Sequence, residues 1–152
     1  IAAVVLLVGW NLTHLPPSPH PDGGYPAGQA AGDRADAALT AAGIPRDAVV
    51  LVRSLPDFKS TEAMAYPLAI LGRAYVAETP KGVAPGGVDV TTVDTFDGLI
   101  LLCDDRFDDA IGDSCGGAAE MSVASDPRVA GWVLLDQFEA APGRFVSVYG
   151  PG

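Results

Sequence analysis

Positive charge is scarce in this sequence. The 152 residues include 9 Lys plus Arg against 19 Asp plus Glu, which gives a formal net charge of -10. Nucleic acids and anionic lipid headgroups bind basic surfaces, and this composition supplies no basic stripe. We therefore expect no nucleic-acid partner.

Charged residues of both signs are also few. They make up 18% of the chain, whereas 49% of the residues are hydrophobic. A disordered chain shows the opposite balance. A domain of this length buries about 70% of its unfolded surface, so it folds without help from a metal. We expect one compact domain and no cofactor.

Cysteine is rare as well, since the chain contains only Cys103 and Cys115. Two cysteines are too few for a disulfide scaffold, and their spacing matches neither a redox CxxC motif nor a zinc or haem site. A disulfide between them is the natural prediction, and it would persist only in an oxidising compartment. Two free buried thiols in a cytosolic protein are the alternative.

No apolar run is long enough to cross a bilayer. Ile1–Trp10 lacks polar side chains but is only half of the roughly 20 residues that a span needs. We interpret residues 1–14 as the end of a truncated membrane helix, with a buried core helix as the alternative. Residues 15–29, rich in Pro and Gly, are predicted to form a linker. No Lys or Arg precedes Arg34, which predicts that the soluble part lies on the extracytoplasmic side of the cell membrane.

Residues 30–152 are predicted to form a single α/β domain. Small apolar residues recur at helical spacing over Ala30–Ala42, and Gly43 is suited to end that helix. Ala48–Val52 and Gly98–Cys103 are continuous apolar runs, typical of strands covered on both faces. The other predicted elements are a helix at Thr61–Leu71 that kinks at Pro67 or ends at Tyr66, strands at Arg73–Glu78 and Val88–Val93, a helix at Ala118–Ala124, and a hairpin of Trp132–Gln137 and Arg144–Tyr149. This order predicts a mainly parallel sheet flanked by helices, with a C-terminal antiparallel hairpin, preceded by the end of a membrane helix.

Two segments follow the strongest predicted strands, where open α/β sheets bind their ligands. In the first segment, Lys59, Ser60 and Thr61 are expected at a helix N-terminus. Free backbone N–H groups, hydroxyls and an ammonium group can hold an anion there. Ordinary capping of the helix by Ser and Thr is the alternative.

The second segment is acidic. Asp104 and Asp105 open a run with three further aspartates inside the proposed disulfide loop, and such a run can bind a hard cation. The spacing lacks the alternation of an EF-hand, so we favour a solvated acidic loop without a metal. Arg106 or Lys59 can pair with these carboxylates. The candidate ligand-binding residues of this segment are Asp104, Asp105 and Arg106.

Residues for nucleophilic catalysis are missing. The chain has no GxSxG motif, and its only histidines, His14 and His20, precede the predicted domain. A hydrolase that uses carboxylates such as Asp57, Asp104 and Asp105 is a further alternative. It requires two of them close together with separated pKa values.

Three segments carry a family resemblance: LPDFKSTEAMAYPL (Leu55–Leu68), LLCDDRFDDAIGDSCGGAAE (Leu101–Glu120) and DQFEAAPGRFVSVY (Asp136–Tyr149). They resemble the C-terminal soluble domain of actinobacterial polytopic membrane proteins, some of them similar to membrane glycosyltransferases of the protein-mannosyltransferase type. The resemblance implies that Ile1–Trp10 ends the last membrane helix of a longer chain. It also implies that catalysis with lipid-linked sugar lies outside these residues.

The sequence therefore predicts a non-catalytic extracytoplasmic domain of a membrane protein, attached through its N-terminal helix. Its expected partners are the membrane and a carbohydrate or protein. The first alternative is a membrane-tethered module that binds a small ligand or a protein, and the second is the carboxylate-dependent hydrolase.

Overall fold

The computed structural model describes residues 2–13, 24–79, 82–83, 93–129 and 131–152. Both histidines, linker residues 15–23 and nearly all of the predicted strand Val88–Val93 lie outside the described residues. The helices are α1 (Ala2–Thr13), α2 (Gly24–Ala41), α3 (Glu62–Ile70), α4 (Asp108–Ile111) and α5 (Ala118–Ala124). The strands are β1 (Val50–Leu55), β2 (Tyr75–Thr79), β3 (Gly82–Val83), β4 (Gly98–Asp104), β5 (Trp132–Ala141) and β6 (Arg144–Pro151).

The strands form one mixed sheet in the order β3-β2-β1-β4-β6-β5. β1 runs parallel to β2 and to β4, whereas β6 is antiparallel to β4 and β5 to β6. The two-residue β3 adds a short antiparallel edge to β2. The α/β fold is confirmed, but the sheet is only partly parallel. The reason is that the C-terminal hairpin extends the same sheet through β6 instead of standing apart from it.

Helix α2 begins at Gly24 rather than at the predicted Ala30, so the last part of the predicted linker is helical. Pro26 lies in the first turn, where backbone N–H groups have no hydrogen-bond partner within the helix. A proline, which lacks this N–H, is therefore compatible with the helix at this position. The predicted end is confirmed: Gly43 has φ +82°, and the Ile44 N–H donates to the Leu39 carbonyl at 3.0 Å. A left-handed residue followed by a buried apolar contact is the expected helix stop.

Helix α3 continues through Pro67 to Ile70, so of the two predicted alternatives the one in which the helix ends at Tyr66 is wrong. The proline is buried against α2 at Gly32, where an added Cβ would stand 2.3 Å from the Pro67 Cβ. Glycine at this position lets the two helices approach closely. This packing explains why a proline inside a helix is tolerated here.

Two clusters of buried apolar side chains cover the two faces of the sheet. On one face α2 and α3 pack against β1, β4 and β6, with Leu39, Leu68 and Ile100 fully buried. On the other face Leu51, Leu99 and Tyr149 pack with Val129, which ends the 3₁₀ turn Pro127–Val129. Every residue of β4 is buried, which accounts for its continuous apolar sequence.

The predicted disulfide is present. Cys103, near the end of β4, is bonded to Cys115 with an S–S distance of 2.03 Å and a Cα–Cα distance of 5.8 Å. The bond ties the 3₁₀ turn Asp105–Phe107 and α4 to the sheet. The acidic segment is therefore a short closed loop attached to the most deeply buried strand.

Helix α1 has 12 residues and is apolar from Ala2 to Trp10. Its large side chains are exposed, from 51% for Val8 to 74% for Leu6. In the part of the chain that the structure describes, no helix combines the length and the apolar composition that crossing a membrane requires.

Candidate functional site

A buried carboxylate surrounded by three cations lies at the carboxyl end of β4. The Asp104 side chain is 3% exposed. Arg106 donates to both of its oxygens, at 2.7 Å each. Arg144 donates to Oδ2 at 3.4 Å, and the Lys59 Nζ lies 3.5 Å from the same oxygen. The two candidate segments of the sequence, one after β1 and one after β4, therefore meet at Asp104.

The topology of the sheet produces this arrangement. β1 and β4 are parallel neighbours, with Leu55 opposite Cys103, so the loops that follow them leave the sheet at the same edge. β6 begins beside the end of β4, where Arg144 is paired with Asp104. Lys59 arrives from the loop after β1, and Arg106 from the turn after β4.

The cations hold Asp104 in its ionised form. Burial alone would raise the pKa of this carboxyl, but the hydrogen bonds and charge of Arg106, together with Lys59 and Arg144, lower the pKa to about 2. A general acid near neutral pH needs a raised pKa instead. Of the other two carboxylates of the hydrolase alternative, Asp57 is exposed on the loop after β1, and Asp105 accepts a hydrogen bond from the Cys115 N–H at 3.1 Å. The geometry therefore does not favour that alternative.

Lys59 is held by contacts on several sides. Its carbonyl accepts a hydrogen bond of 2.7 Å from the Ser54 hydroxyl. Its ammonium lies 4.0 Å from the ring centre of Phe107, a cation–π contact. Phe58 packs edge-on against Phe107, with ring centres 5.7 Å apart. The position of the Lys59 charge is thus set by the residues around it.

The other two residues of the predicted anion site differ in position. Ser60 lines a surface cleft together with Lys59. Its hydroxyl accepts a hydrogen bond at 3.1 Å from the N–H of Glu62, the first residue of α3. Thr61 is fully buried, and among the described residues its hydroxyl has no hydrogen-bond partner.

Carboxylates of the acidic loop accept hydrogen bonds from the loop backbone. Asp105 accepts from the Cys115 N–H at 3.1 Å, and Asp108 accepts from the Asp109 N–H at 2.8 Å. Asp113 accepts from the N–H groups at the start of α5. Among the described residues, no group of three or more His, Cys, Asp or Glu is arranged to hold a metal ion.

A cleft of about 460 Å³ opens next to the Asp104 cluster. Lys59 and Arg144 line it on one side, and the N-terminal ends of α2 and α3 on the other. From these helices come Tyr25 and Tyr66, which pack edge to face with ring centres 6.0 Å apart and are 59% and 58% exposed. Glu62 also lines the cleft. We call this the tyrosine cleft.

Sequence reasoning missed three of the residues that line the tyrosine cleft. Arg144 was assigned only to a hairpin strand, and its position beside Asp104 depends on strand order. Tyr25 was assigned to the linker, although it belongs to α2. Tyr66 was considered only as the residue before Pro67. No local pattern in the sequence marks these residues, because the contact between Tyr25 and Tyr66 and the exposure of both rings are visible only in the structure.

Comparison with known protein families, with characterised proteins and with solved structures gives no match. The function is therefore inferred from the geometry of the site. The site is a local concentration of cations and aromatic rings at the carboxyl edge of an α/β sheet, in an acidic protein. That combination is typical of a ligand-binding domain.

Proposed function

We propose that this domain binds a small organic anion in the tyrosine cleft and is not itself catalytic. The anionic group is held by Lys59 and Arg144, and a ring of the ligand packs on Tyr25 and Tyr66. The observation that carries the proposal is the convergence of these two cations on a cleft that two exposed tyrosines line.

The charge distribution supports an anion as the ligand. The tyrosine cleft offers two positive side chains and one negative side chain, Glu62, in a protein whose formal net charge is -10. Asp104 lies behind the cations and keeps Lys59 and Arg144 in place. Arginine and lysine side chains that are already oriented bind carboxylates and phosphates through charge-assisted hydrogen bonds. A cationic ligand would instead meet repulsion from both.

The size and lining of the cleft support a ring. A volume of about 460 Å³ is that of a small-molecule site. Tyrosines supply both an apolar face and a hydroxyl, which suits a sugar or an aromatic ring. A sugar phosphate combines the two requirements. It is also the polar part of the lipid-linked sugar that the family resemblance implies.

We place the domain at the extracytoplasmic face of a membrane, as part of a membrane protein. The disulfide supports this location, because such bonds persist in oxidising compartments. The exposed apolar side chains of α1 support contact with a membrane. A related proposal is that the domain belongs to a membrane glycosyltransferase. To test it, the domain is expressed alone and as part of the longer protein, and sugar transfer is measured in both cases.

Isothermal titration calorimetry tests which class of ligand the tyrosine cleft binds. Three probes separate the anion from the ring: inorganic phosphate, phenyl phosphate and glucose 1-phosphate. We expect the two organic phosphates to bind more tightly than inorganic phosphate. In Lys59→Gln the affinity for phenyl phosphate should fall about tenfold, which corresponds to one charge-assisted hydrogen bond. In Tyr66→Ala the organic phosphates should weaken while inorganic phosphate does not.

Arg34→Gln is the matched control. It also removes one positive charge, but Arg34 is a half-exposed residue of α2 that pairs with Asp136 at 2.7 Å and does not line the cleft. Affinity should be unchanged in this variant. Equal losses in Lys59→Gln and Arg34→Gln would mean that only net charge matters, and the proposal would then be abandoned. Failure of all three probes to bind the unmodified protein would have the same consequence.

A further inference from the structure

A second cleft, of about 510 Å³, lies on the other face of the sheet. Its walls are apolar and come from α5 and the start of β5, where Met121, Val133 and Leu134 are each about half exposed. Trp132 also lines it. Apolar side chains of this size at the surface mark a binding site when they surround a concave space.

The polar side of this second cleft is a carboxylate. Glu120 lines the cleft and is 1% exposed. Its Oε1 accepts a hydrogen bond from the Tyr149 hydroxyl at 2.8 Å, and its Oε2 accepts one from the Gly116 N–H at 2.7 Å. The Gln137 amide lies 3.5 Å from Oε1. Every one of these partners is neutral, unlike the partners of Asp104.

Among the described residues, the buried Glu120 carboxylate has no cationic partner, which is costly to the folded protein. Two or three neutral hydrogen bonds offset only part of the loss of hydration. Tyr149 stays protonated and keeps donating, because burial and the neighbouring Glu120 raise the pKa of its hydroxyl. The Tyr149 hydroxyl and the Gly116 N–H thus fix the orientation of the Glu120 side chain.

The contact with Gln137 is the weakest that Glu120 makes, and it is the one that an incoming cation would displace. Gln137 is exposed, and its 3.5 Å contact with Glu120 is long for a hydrogen bond. The same amide donates to the Ser147 hydroxyl at 2.9 Å, which it can keep when a ligand arrives. An ammonium group in its place would form a charge-assisted bond, which is shorter and stronger.

We propose that this second cleft binds a small apolar amine. The ammonium group pairs with Glu120, and the hydrocarbon part packs on Met121, Trp132 and Leu134. The cleft volume of about 510 Å³ suits a small molecule. The Glu120 carboxyl group favours a positively charged group, and the apolar walls favour a hydrocarbon group. This site is independent of the tyrosine cleft and of its anionic ligand.

A matched pair of probes tests the proposal on the unmodified protein. 2-Phenylethylamine and 2-phenylethanol share the ring and the chain, and they differ in charge. We expect the amine to bind about tenfold more tightly than the alcohol, as one charge-assisted bond implies. In amide NMR spectra the Gly116 signal should shift on binding, since its N–H contacts Glu120. Equal affinities, or an unshifted Gly116 signal, would overturn the proposal.

Two glutamate variants add a second, separate test. Glu120→Gln removes the charge and nearly keeps the shape, so the amine should then bind no better than the alcohol. Glu139→Gln makes the same change at an exposed residue of β5 and should leave both affinities unchanged. If Glu120→Gln binds the amine as tightly as the unmodified protein does, the assignment is wrong. If that variant does not fold, the probe pair and the Gly116 signal still decide the question.

Discussion

The Asp104 cluster makes a quantitative prediction about stability. Asp104→Asn keeps the shape of the side chain but leaves Lys59, Arg106 and Arg144 around a neutral amide. The pKa of Asp104 is about 2, against an ordinary value of 3.8. At about 1.4 kcal/mol per pKa unit, this difference corresponds to between about 2 and 3 kcal/mol of unfolding free energy at neutral pH. The side chain is 3% exposed, so solvent screening removes little of it.

The pH dependence gives the sharper test. A carboxyl whose pKa is lowered by folding stabilises the protein above its unfolded pKa, and this contribution is lost as the pH falls through the folded pKa. The difference between the two proteins should be constant down to about pH 5, shrink as the pH falls further, and vanish only near pH 1. Urea unfolding at a series of pH values measures it. Asp126, whose pKa is also about 2, is present in both proteins and cancels.

Asp108→Asn is the control for the Asp104 prediction. It makes the same change on the exposed part of the same loop, where the carboxylate accepts only the local Asp109 N–H in the described structure. We expect a change below about 0.5 kcal/mol, as for other surface substitutions. A loss in Asp104→Asn that stays constant below pH 4 would show that packing, not charge, stabilises the site. That result would refute the electrostatic argument.

Two further predictions concern the scaffold. Replacing Cys103 and Cys115 by Ser should lower the unfolding free energy by about 3 kcal/mol, the value expected for a loop of this size. Unfolding with and without reductant, with a thiol count, measures it, and equal stability of the two forms would contradict it. Gly32→Ala should destabilise by about 2 kcal/mol, because its Cβ would clash with the rigid ring of Pro67. In a helix with no neighbour at this position, a change from Gly to Ala raises the unfolding free energy by up to about 1 kcal/mol. Urea unfolding therefore tests the packing argument by whether Gly32→Ala lowers or raises the unfolding free energy.

Local patterns in the sequence predict the elements of this fold well. The apolar runs that became β1 and β4 were recognised from their composition, and Gly43 ends α2 as expected. The disulfide followed from excluding other uses of two cysteines. These features depend on neighbouring residues, and so the sequence shows them directly.

The assembled site depends on information that local patterns do not contain. Lys59, Asp104 and Arg106 were chosen because they follow strands, but Arg144 joins them through the pairing of β6 with β4. The start of α2 was misplaced because Gly24, Pro26 and Gly28 suggest a linker, whereas a proline in the first turn is compatible with a helix. Glu120 was part of a short predicted helix, and its burial becomes visible only when Tyr149 is placed opposite.

The two clefts are connected by a single strand, β6. Arg144 at its start lines the tyrosine cleft, and Tyr149 near its end holds Glu120 in the second cleft. Arg144 and Tyr149 are five residue steps apart, about 17 Å along the strand, and alternate side chains point to opposite faces of the sheet. Sites so far apart with no shared partner act independently as a rule. We therefore expect saturation with phenyl phosphate to leave the affinity for 2-phenylethylamine unchanged in a calorimetric titration. A measurable coupling would mean that β6 moves as a unit when either cleft is filled.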